Sequence, residues 1–211
     1  MDAAFFRAWL AEARTVIDSQ RDHLTQLDAA IGDADHGINL ARGFGAIAVA
    51  LDQAATPTPG SVLILAGSTL ISKVGGASGP LYGMALRQAG KALGDTADAS
   101  LPELAAGLEA ALAGVQKLGA AREGEKTMVD ALAPAVAALQ KSVSDGADAA
   151  DALAAAAAAA AAGAQATISM QALKGRASYL GPRSVGHEDP GAASTAIIMG
   201  ALSEVAQRQA T

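Results

Sequence analysis

SLPELAAGLEAALAGVQKLGA, residues 100–120, has the pattern of one complete helix. Ser100 and Glu103 form a capping-box pair at its start, and the apolar residues that follow recur at helical spacing. The same periodicity recurs along the chain, and no stretch alternates with the period of two that marks a strand. The sequence therefore predicts an all-α bundle of eight helices, at about residues 2–31, 38–54, 60–74, 80–94, 101–120, 125–144, 146–170 and 190–209.

Residues between these stretches support the count. Thr56 to Gly60 reads TPTPG, a turn, and Asp145-Gly146 breaks the chain. Asp189-Pro190 fits an N-cap followed by the first helical position. The alanine run 154–162 is low in complexity, but it lacks the glycine, serine and proline of a flexible linker, and alanine has the highest helix propensity. We therefore interpret this run as helix.

Length and charge limit the classes of function. With 211 residues and no shift in composition, the chain is expected to be a single domain, 1–211. It has 15 basic and 21 acidic residues, a net charge of −6 and no block of lysine or arginine, so nucleic acid and anionic membranes are not expected partners. The absence of cysteine excludes disulfides and thiolate metal sites.

The N-terminus and the apolar stretches bear on location. Asp2, Arg7 and Glu12 interrupt the apolar residues of the first stretch, so it lacks the uncharged core of a secretory signal. The two most apolar stretches, 61–71 and 153–162, are shorter than the ~20 residues that span a bilayer. We expect a cytoplasmic protein with no membrane partner.

Two segments, 31–37 and 174–191, fit no helix and are the expected places for function. The first lies within LDAAIGDADHGIN, residues 27–39, which brings Asp28, Asp33 and Asp35 close in sequence. On a continuous helix Asp33 would point away from the other two, so convergence requires the helix to end near Gly32. Three converging carboxylates suit a hard cation, Mg²⁺ or Ca²⁺. A solvated helix terminus without a metal is the alternative interpretation.

An EF-hand loop starting at Asp33 does not explain this segment. Ile38 would occupy the sixth position, where glycine is needed, and Phe44 would occupy the twelfth, where a bidentate glutamate is needed. His36, taken alone, is more typical of a surface or capping histidine than of a ligand.

Two further segments suit anions. The turn VGGASGP, residues 74–80, presents unhindered N–H groups at a helix start, with Pro80 suited to the first helical position. A tight inter-helix turn is the simpler explanation of this segment in isolation. The loop 174–191 carries Lys174, Arg176 and Arg183 between glycines, which favours phosphate capture over a merely solvated connection. Residues 124–127, GEKT, are not a P-loop, since Glu125 separates the glycine from the lysine and no strand precedes them.

Taken together and in order, residues 27–39, GGASGP (75–80), GEKTM (124–128), GRASYLG (175–181) and DPG (189–191) resemble the nucleotide-binding L subunit of dihydroxyacetone kinases. The resemblance covers nearly the whole chain, although the alanine-rich stretch 146–164 matches only in length and helical character. It implies an antiparallel barrel of eight helices, with a nucleotide and two Mg²⁺ ions bound at one end.

The resemblance also implies roles for individual residues. Asp28, Asp33 and Asp35 match the family's Mg²⁺ ligands, and Arg176 matches a nucleotide contact to which we assign phosphate stabilisation. The remaining positions that match nucleotide contacts are His36, Gly37, Ile38, Asn39, Ala77, Ser78, Gly119, Met128, Asp189, Pro190 and Gly191.

In the family, phosphoryl passes from the nucleotide to dihydroxyacetone held on a separate K subunit. The resemblance implies that ADP is retained as a cofactor, that an M subunit of the phosphotransferase system recharges it to ATP, and that the L subunit is a homodimer that also contacts a transcriptional regulator. Two alternatives remain open: a kinase subunit that exchanges ATP at each turnover, and a non-enzymatic nucleotide-binding module that signals to a regulator.

Overall fold

The computed structural model describes residues 1–210, and helices account for most of them. The eight α-helices of this part of the chain are α1 (Ala3–Ile31), α2 (His36–Gln53), α3 (Pro59–Lys73), α4 (Ser78–Leu93), α5 (Leu101–Gly119), α6 (Val129–Ser144), α7 (Ala149–Ala166) and α8 (Pro190–Ala210). Two 3₁₀ helices, Thr167–Ser169 and Arg176–Ser184, lie between α7 and α8. Within residues 1–210 there is no strand beyond an isolated bridge between Asp2 and Asp98, which confirms the all-α prediction.

The helices form a closed, antiparallel ring. Each packs against the next in sequence, and α8 packs against α1. The direction is clearest where α3 and α4 approach through glycines: Gly60 at the start of α3 faces Gly90 near the end of α4, and Gly67 faces Gly83. This arrangement is the predicted eight-helix barrel. Because the helices alternate in direction, the α1–α2, α3–α4, α5–α6 and α7–α8 connections lie at the same end.

Apolar side chains fill the barrel. Phe5, Phe6 and Trp9 of α1 are almost fully buried and pack edge to face. The Trp9 indole donates a hydrogen bond to the Ile198 carbonyl oxygen of α8 at 2.9 Å, so its one polar atom is satisfied inside the core. These contacts hold the two ends of the chain side by side.

Two predicted helix starts have the expected caps. The Ser100 hydroxyl accepts from Glu103 N–H at 3.4 Å, while the Glu103 carboxylate accepts from Ser100 N–H at 2.7 Å, which completes the capping box of α5. At α8, the Asp189 carboxylate accepts from Ala192 N–H at 2.8 Å, and Pro190 is the first helical residue.

Other boundaries differ from the prediction. Helix α6 begins at Val129 instead of residue 125, because Lys126 has a φ of 60° and the Asp130 carboxylate accepts from the N–H groups of Gly124 and Thr127. Helix α2 begins at His36, and Pro80 is the third residue of α4, not the first. The segment 174–191, predicted as irregular, contains the 3₁₀ helix Arg176–Ser184.

Helix α7 is also shorter than predicted, and its residues are unusually apolar. It starts after Asp148, whose carboxylate accepts from Asp151 N–H at 2.9 Å, and it tightens into the 3₁₀ turn at Thr167. By length and composition alone, Ala149–Ser169 could cross a membrane, with 21 residues and a mean hydropathy of 1.4, which is weak evidence for a span. Its buried residues, Ala152, Leu153, Ala156, Ala160 and Ala164, form one stripe, and α7 packs between α6 and α8.

Candidate functional site

A cavity of about 390 Å³ opens at the barrel end where the four connections meet. This volume lies within the range of small-molecule sites, roughly 300–1,000 Å³. Residues from all four connections line it: Asp28, Ile31, Gly32, Asp33, Asp35 and His36; Gly76, Ala77, Ser78, Leu81 and Tyr82; Val115, Gly119, Ala121 and Lys126 to Val129; and Lys174 to Ala177 with Asp189 to Gly191. Both segments in which the sequence predicted function therefore contribute to one cavity.

The three predicted carboxylates converge on one side of this cavity. One carboxylate oxygen from each of Asp28, Asp33 and Asp35 lies within 4.8 Å of the others. The convergence arises as predicted, because α1 ends at Ile31 and the chain turns at Gly32 before α2 begins. Ala34, with a φ of 60°, completes the reversal.

Backbone hydrogen bonds fix Asp28 in this turn. One oxygen of its carboxylate accepts from Asp35 N–H at 2.8 Å and from His36 N–H at 3.1 Å. A Cβ at Gly32 would lie 2.0 Å from the other oxygen, so only glycine leaves the carboxylate where it is. Asp28 is buried, whereas Asp33 is exposed and Asp35 is half-buried.

This donor set fits a hard divalent cation. Carboxylate oxygens are the ligands that Mg²⁺ and Ca²⁺ prefer, and three of them at this spacing repel one another unless a positive charge intervenes. Mg²⁺ usually takes only one or two carboxylates and completes its octahedron with water and phosphate oxygens. The remaining walls of the cavity would have to bind the molecule that brings these phosphate oxygens.

A basic side chain and unhindered backbone N–H groups are present on those walls. The Arg176 guanidinium lies 3.0 Å from the Asp33 carboxylate, and its side chain remains 70% exposed, so it can turn towards an anion. Gly76, Ala77 and Ser78 bring the N-terminus of α4 to the cavity, where free N–H groups and the helix dipole favour negative charge.

A buried polar network borders the cavity. The Tyr82 hydroxyl forms hydrogen bonds with the hydroxyls of Ser194 at 2.7 Å and Thr195 at 2.9 Å, and it donates to the Gly191 carbonyl oxygen at 2.9 Å. His36 Nε2 lies 2.8 Å from the Ser194 hydroxyl, which joins this network to the acidic turn. Burial raises the pKa of Tyr82 to about 12, so its hydroxyl stays protonated. Burial lowers the pKa of His36, an effect that the charges of Asp28 and Asp35 oppose.

A second set of buried polar residues, Asp189, Asp130 and Lys126, lies near the start of α8. Burial raises the pKa of Asp189 to about 7, against backbone hydrogen bonds from Ala192 and Gly191 that favour its charged form. The Asp130 charge adds to the rise, and Lys126 opposes it. Burial in turn lowers the pKa of Lys126, while the charge of Asp189 raises it.

Most of the predicted nucleotide-contacting positions line the cavity, but three do not. Gly37 packs against α1, where a Cβ would lie 2.0 Å from the Arg21 carbonyl oxygen. Asn39 is buried and accepts a hydrogen bond from Arg42, and Ile38 is 52% exposed. These residues lie in the first turn of α2, next to His36, and are absent from the cavity wall.

Sequence reasoning did not identify Tyr82 or assign a role to Lys126. Tyr82 is one of two tyrosines, and no local motif separates it from an ordinary core residue. Lys126 belongs to the segment GEKT, and nothing in that segment indicates that its lysine is buried. Both residues acquire their partners from segments that are distant in sequence.

Comparisons with known proteins agree with this geometry. The model of the family described as DAK2 domain matches residues 30–204. The chain is 42% identical over 199 residues to the PEP-dependent dihydroxyacetone kinase, ADP-binding subunit DhaL of Escherichia coli strain K12, covering 94% of this chain and 95% of that protein. It is also 42% identical over 197 residues to the PTS-dependent dihydroxyacetone kinase, ADP-binding subunit DhaL of Lactococcus lactis, covering 93% and 94%.

Longer proteins share the same region. The chain is 40% identical over 187 residues to the triokinase/FMN cyclase of Homo sapiens, which covers 88% of this chain but 32% of that protein. The crystal structure of the dihydroxyacetone kinase from C. freundii in complex with AMP-PNP and Mg²⁺ superposes with a TM-score of 0.73 at 30% identity. That superposition covers 97% of this chain and about a third, 34%, of the other. The chain therefore belongs to the DAK2 domain family, in which its full-length relatives are the L subunits of dihydroxyacetone kinases.

Proposed function

We propose that the chain is the ADP-binding subunit of a PEP-dependent dihydroxyacetone kinase. In this proposal it holds ADP, or ATP in the charged state, with two Mg²⁺ ions. It passes phosphoryl to dihydroxyacetone on a separate K subunit, and an M subunit of the phosphotransferase system recharges it. The observation that carries the proposal is the convergence of Asp28, Asp33 and Asp35 at a cavity that Arg176 and a helix N-terminus also reach.

The acidic turn would hold the cations. Asp28 would be the fixed ligand, because two backbone N–H groups hold one of its carboxylate oxygens in place. Asp33 is exposed and Asp35 is half-buried, so their carboxylates would have room to turn towards the ion. Bound Mg²⁺ would neutralise the charge on the phosphate oxygens during transfer.

The other walls would hold the nucleotide itself. Gly76 to Ser78 would receive phosphate oxygens through backbone N–H groups, and Arg176 would stabilise the transferred phosphoryl group. Leu81, Val115 and Met128 give the cavity an apolar part that suits a base. In-line phosphoryl transfer requires positioning and charge stabilisation more than covalent help, and the acidic turn, Arg176 and the α4 N-terminus would supply both.

The proposed location is the cytoplasm, and the proposed organisation is a single domain. The cavity opens at one end of the barrel, so a K subunit has to approach that end to bring its substrate to the phosphoryl group. The family match and the eight helices account for almost all of the chain's residues, which supports the single-domain organisation.

Asp33→Asn tests the proposal, with Asp52→Asn as the matched control. Asp33 is partly exposed and its only ion pair among the described residues is with Arg176, so the amide should leave folding intact. Asp52 is exposed in the last turn of α2, at the opposite end of the barrel. We expect Asp33→Asn to lower phosphoryl transfer by about 10²-fold or more. It should also lose Mg²⁺-dependent ADP retention, while Asp52→Asn behaves as wild type.

The measurement is the nucleotide content of purified protein, determined after acid denaturation, before and after long dialysis with and without Mg²⁺. Transfer is then followed with K and M subunits supplied. Wild-type ADP retention by Asp33→Asn would contradict the proposal. Rapid loss of nucleotide from the wild type, with transfer sustained by added ATP, would favour the ATP-exchanging subunit instead.

A further inference from the structure

Lys126 is a charged side chain inside the protein. It is 1% exposed, and its own backbone has a φ of 60°, which a lysine rarely adopts. Its ammonium group donates to the carbonyl oxygens of Thr167 at 2.7 Å, Met170 at 3.2 Å and His187. A lysine has three N–H donors, and all three have protein acceptors. Although Lys126 borders the cavity, its ammonium has no N–H left for a phosphate group.

The three acceptors lie at the two ends of one segment. We call residues 170–187 the strap. Thr167 lies just before the strap, Met170 is its first residue and His187 is its last, so one ammonium group joins both ends. Two weaker links lie beside it: Gly186 N–H donates to the Ile168 carbonyl oxygen at 2.7 Å, and Ala172 N–H donates to the Ser184 hydroxyl at 2.9 Å.

The strap carries groups that reach the cavity. Arg176 begins its 3₁₀ helix and pairs with Asp33. Ala172 and Ala177 pack on Ile31 at the end of α1, in an apolar cluster separate from the main core. This cluster is small, so the order of the strap depends to a large extent on how its base is closed.

We infer that Lys126 is a positioning residue: by closing the base of the strap, it holds Arg176 at the cavity. The role of Arg176 in phosphate stabilisation rests on the proposed function, whereas closure of the strap does not. A neutral side chain could fill the same space, but it could not satisfy three carbonyl oxygens that converge from two ends of a loop. The burial of a cation here is therefore explained by the geometry of the strap.

Limited proteolysis tests strap closure directly. Trypsin cuts after Lys174, Arg176 and Arg183, all within the strap. In nucleotide-free protein, Lys126→Met should raise the rate of cleavage at these bonds by about tenfold or more, since the charged hydrogen bonds that close the base are lost. Lys141→Met is the matched control, because Lys141 is an exposed lysine on α6 that pairs only with Asp145 among the described residues. It should be cleaved as wild type.

Helical circular dichroism separates local opening of the strap from unfolding of the whole chain. Strap cleavage in a variant that keeps its helical circular dichroism supports the inference, whereas cleavage along the whole chain reports unfolding. If Lys126→Met does not fold, Lys126→Gln replaces it, since the amide keeps two N–H donors; its strap cleavage should still exceed that of the wild type. Wild-type cleavage rates in whichever variant folds would overturn the inference.

A double-mutant cycle separates positioning from general support. Arg176→Gln and Lys126→Met should each weaken affinity for Mg²⁺-ATP, which carries the phosphoryl group that Arg176 would stabilise. In the Arg176→Gln background, Lys126→Met should add less than about a twofold loss, because its effect passes through Arg176. Fully additive losses would overturn the positioning role. Failure of the wild type to bind Mg²⁺-ADP would refute the proposed function, and the proteolysis would still decide whether Lys126 closes the strap.

Discussion

Gly32→Ala should disrupt the acidic turn without removing any of its side chains. The added Cβ would lie 2.0 Å from one carboxylate oxygen of Asp28 and 2.9 Å from its carboxyl carbon. Asp28 must move, and the hydrogen bonds from Asp35 N–H and His36 N–H to its carboxylate must lengthen or break.

The cost follows from these contacts. A hydrogen bond to a charged group contributes about 1.5–3 kcal/mol, and the partially exposed turn can recover part of the loss from water. We expect the free energy of unfolding to fall by about 2–4 kcal/mol. Displacing a group that orients a metal ligand typically lowers metal affinity by about 10–100-fold, so Mg²⁺-dependent nucleotide affinity should fall by a similar factor.

Gly45→Ala provides the control. Gly45 lies inside α2, and a Cβ there would meet nothing within 4 Å. Replacing a helical glycine by alanine should raise the free energy of unfolding by about 0.5–1 kcal/mol and leave nucleotide affinity unchanged. Urea denaturation gives stability for both variants, and calorimetric titration with ADP and Mg²⁺ gives affinity. If Gly32→Ala matches Gly45→Ala in both measurements, the turn does not depend on the Asp28 contact and the reasoning is refuted.

Two further predictions concern the buried polar groups. The pKa of Asp189 is about 7 in the folded chain, against 3.8 for an ordinary aspartate, so the folded state holds one more proton between these values. The free energy of unfolding should therefore fall as pH rises from about 4 to about 7, by as much as ~1.4 kcal/mol per pH unit. Asp189→Asn should flatten this slope in a urea series, and identical slopes would contradict the assignment. Tyr82→Phe should lower stability by only about 1 kcal/mol, because Ser194 and Thr195 keep carbonyl acceptors in α8. A loss above about 4 kcal/mol would show that the network depends on the Tyr82 hydroxyl.

Local chemistry explains why most of the fold was predictable. The Ser100–Glu103 capping box and the Asp189–Pro190 start use only neighbouring residues, and both are present as predicted. Helical periodicity is equally local, so seven of the eight helices begin within three residues of their predicted starts. Even the turn at Gly32 could be inferred, since the spacing of Asp28, Asp33 and Asp35 allows convergence only if the helix ends there.

The start of α6 and the strap could not be predicted in this way. Residues 125–128 have helical composition, but Lys126 adopts a positive φ and reaches carbonyl oxygens 41 to 61 positions away. The strap contains Gly181, with a φ of 55°, followed by Pro182, which suggests an irregular loop. Its 3₁₀ helix depends on contacts with Ile31 and with the Lys126 ammonium, and neither partner can be identified from the strap's own sequence.

Backbone strain distinguishes the two ends of the barrel. Within residues 1–210, the three non-glycine residues with positive φ are Ala34, Ala120 and Lys126, and all three lie in connections at the cavity end. The α2–α3, α4–α5 and α6–α7 connections at the other end use positive φ only at Gly94 and Gly146. A left-handed conformation costs a non-glycine residue about 1–2 kcal/mol, which persists only where surrounding contacts compensate for it. At Lys126 that compensation comes from the carbonyl oxygens of the strap base. At Ala34 it comes from the backbone hydrogen bonds to Asp28 on which the proposed metal site depends. Replacing Ala34 by glycine should relieve this backbone strain. In urea denaturation, Ala34→Gly should therefore lower the free energy of unfolding less than Gly32→Ala does.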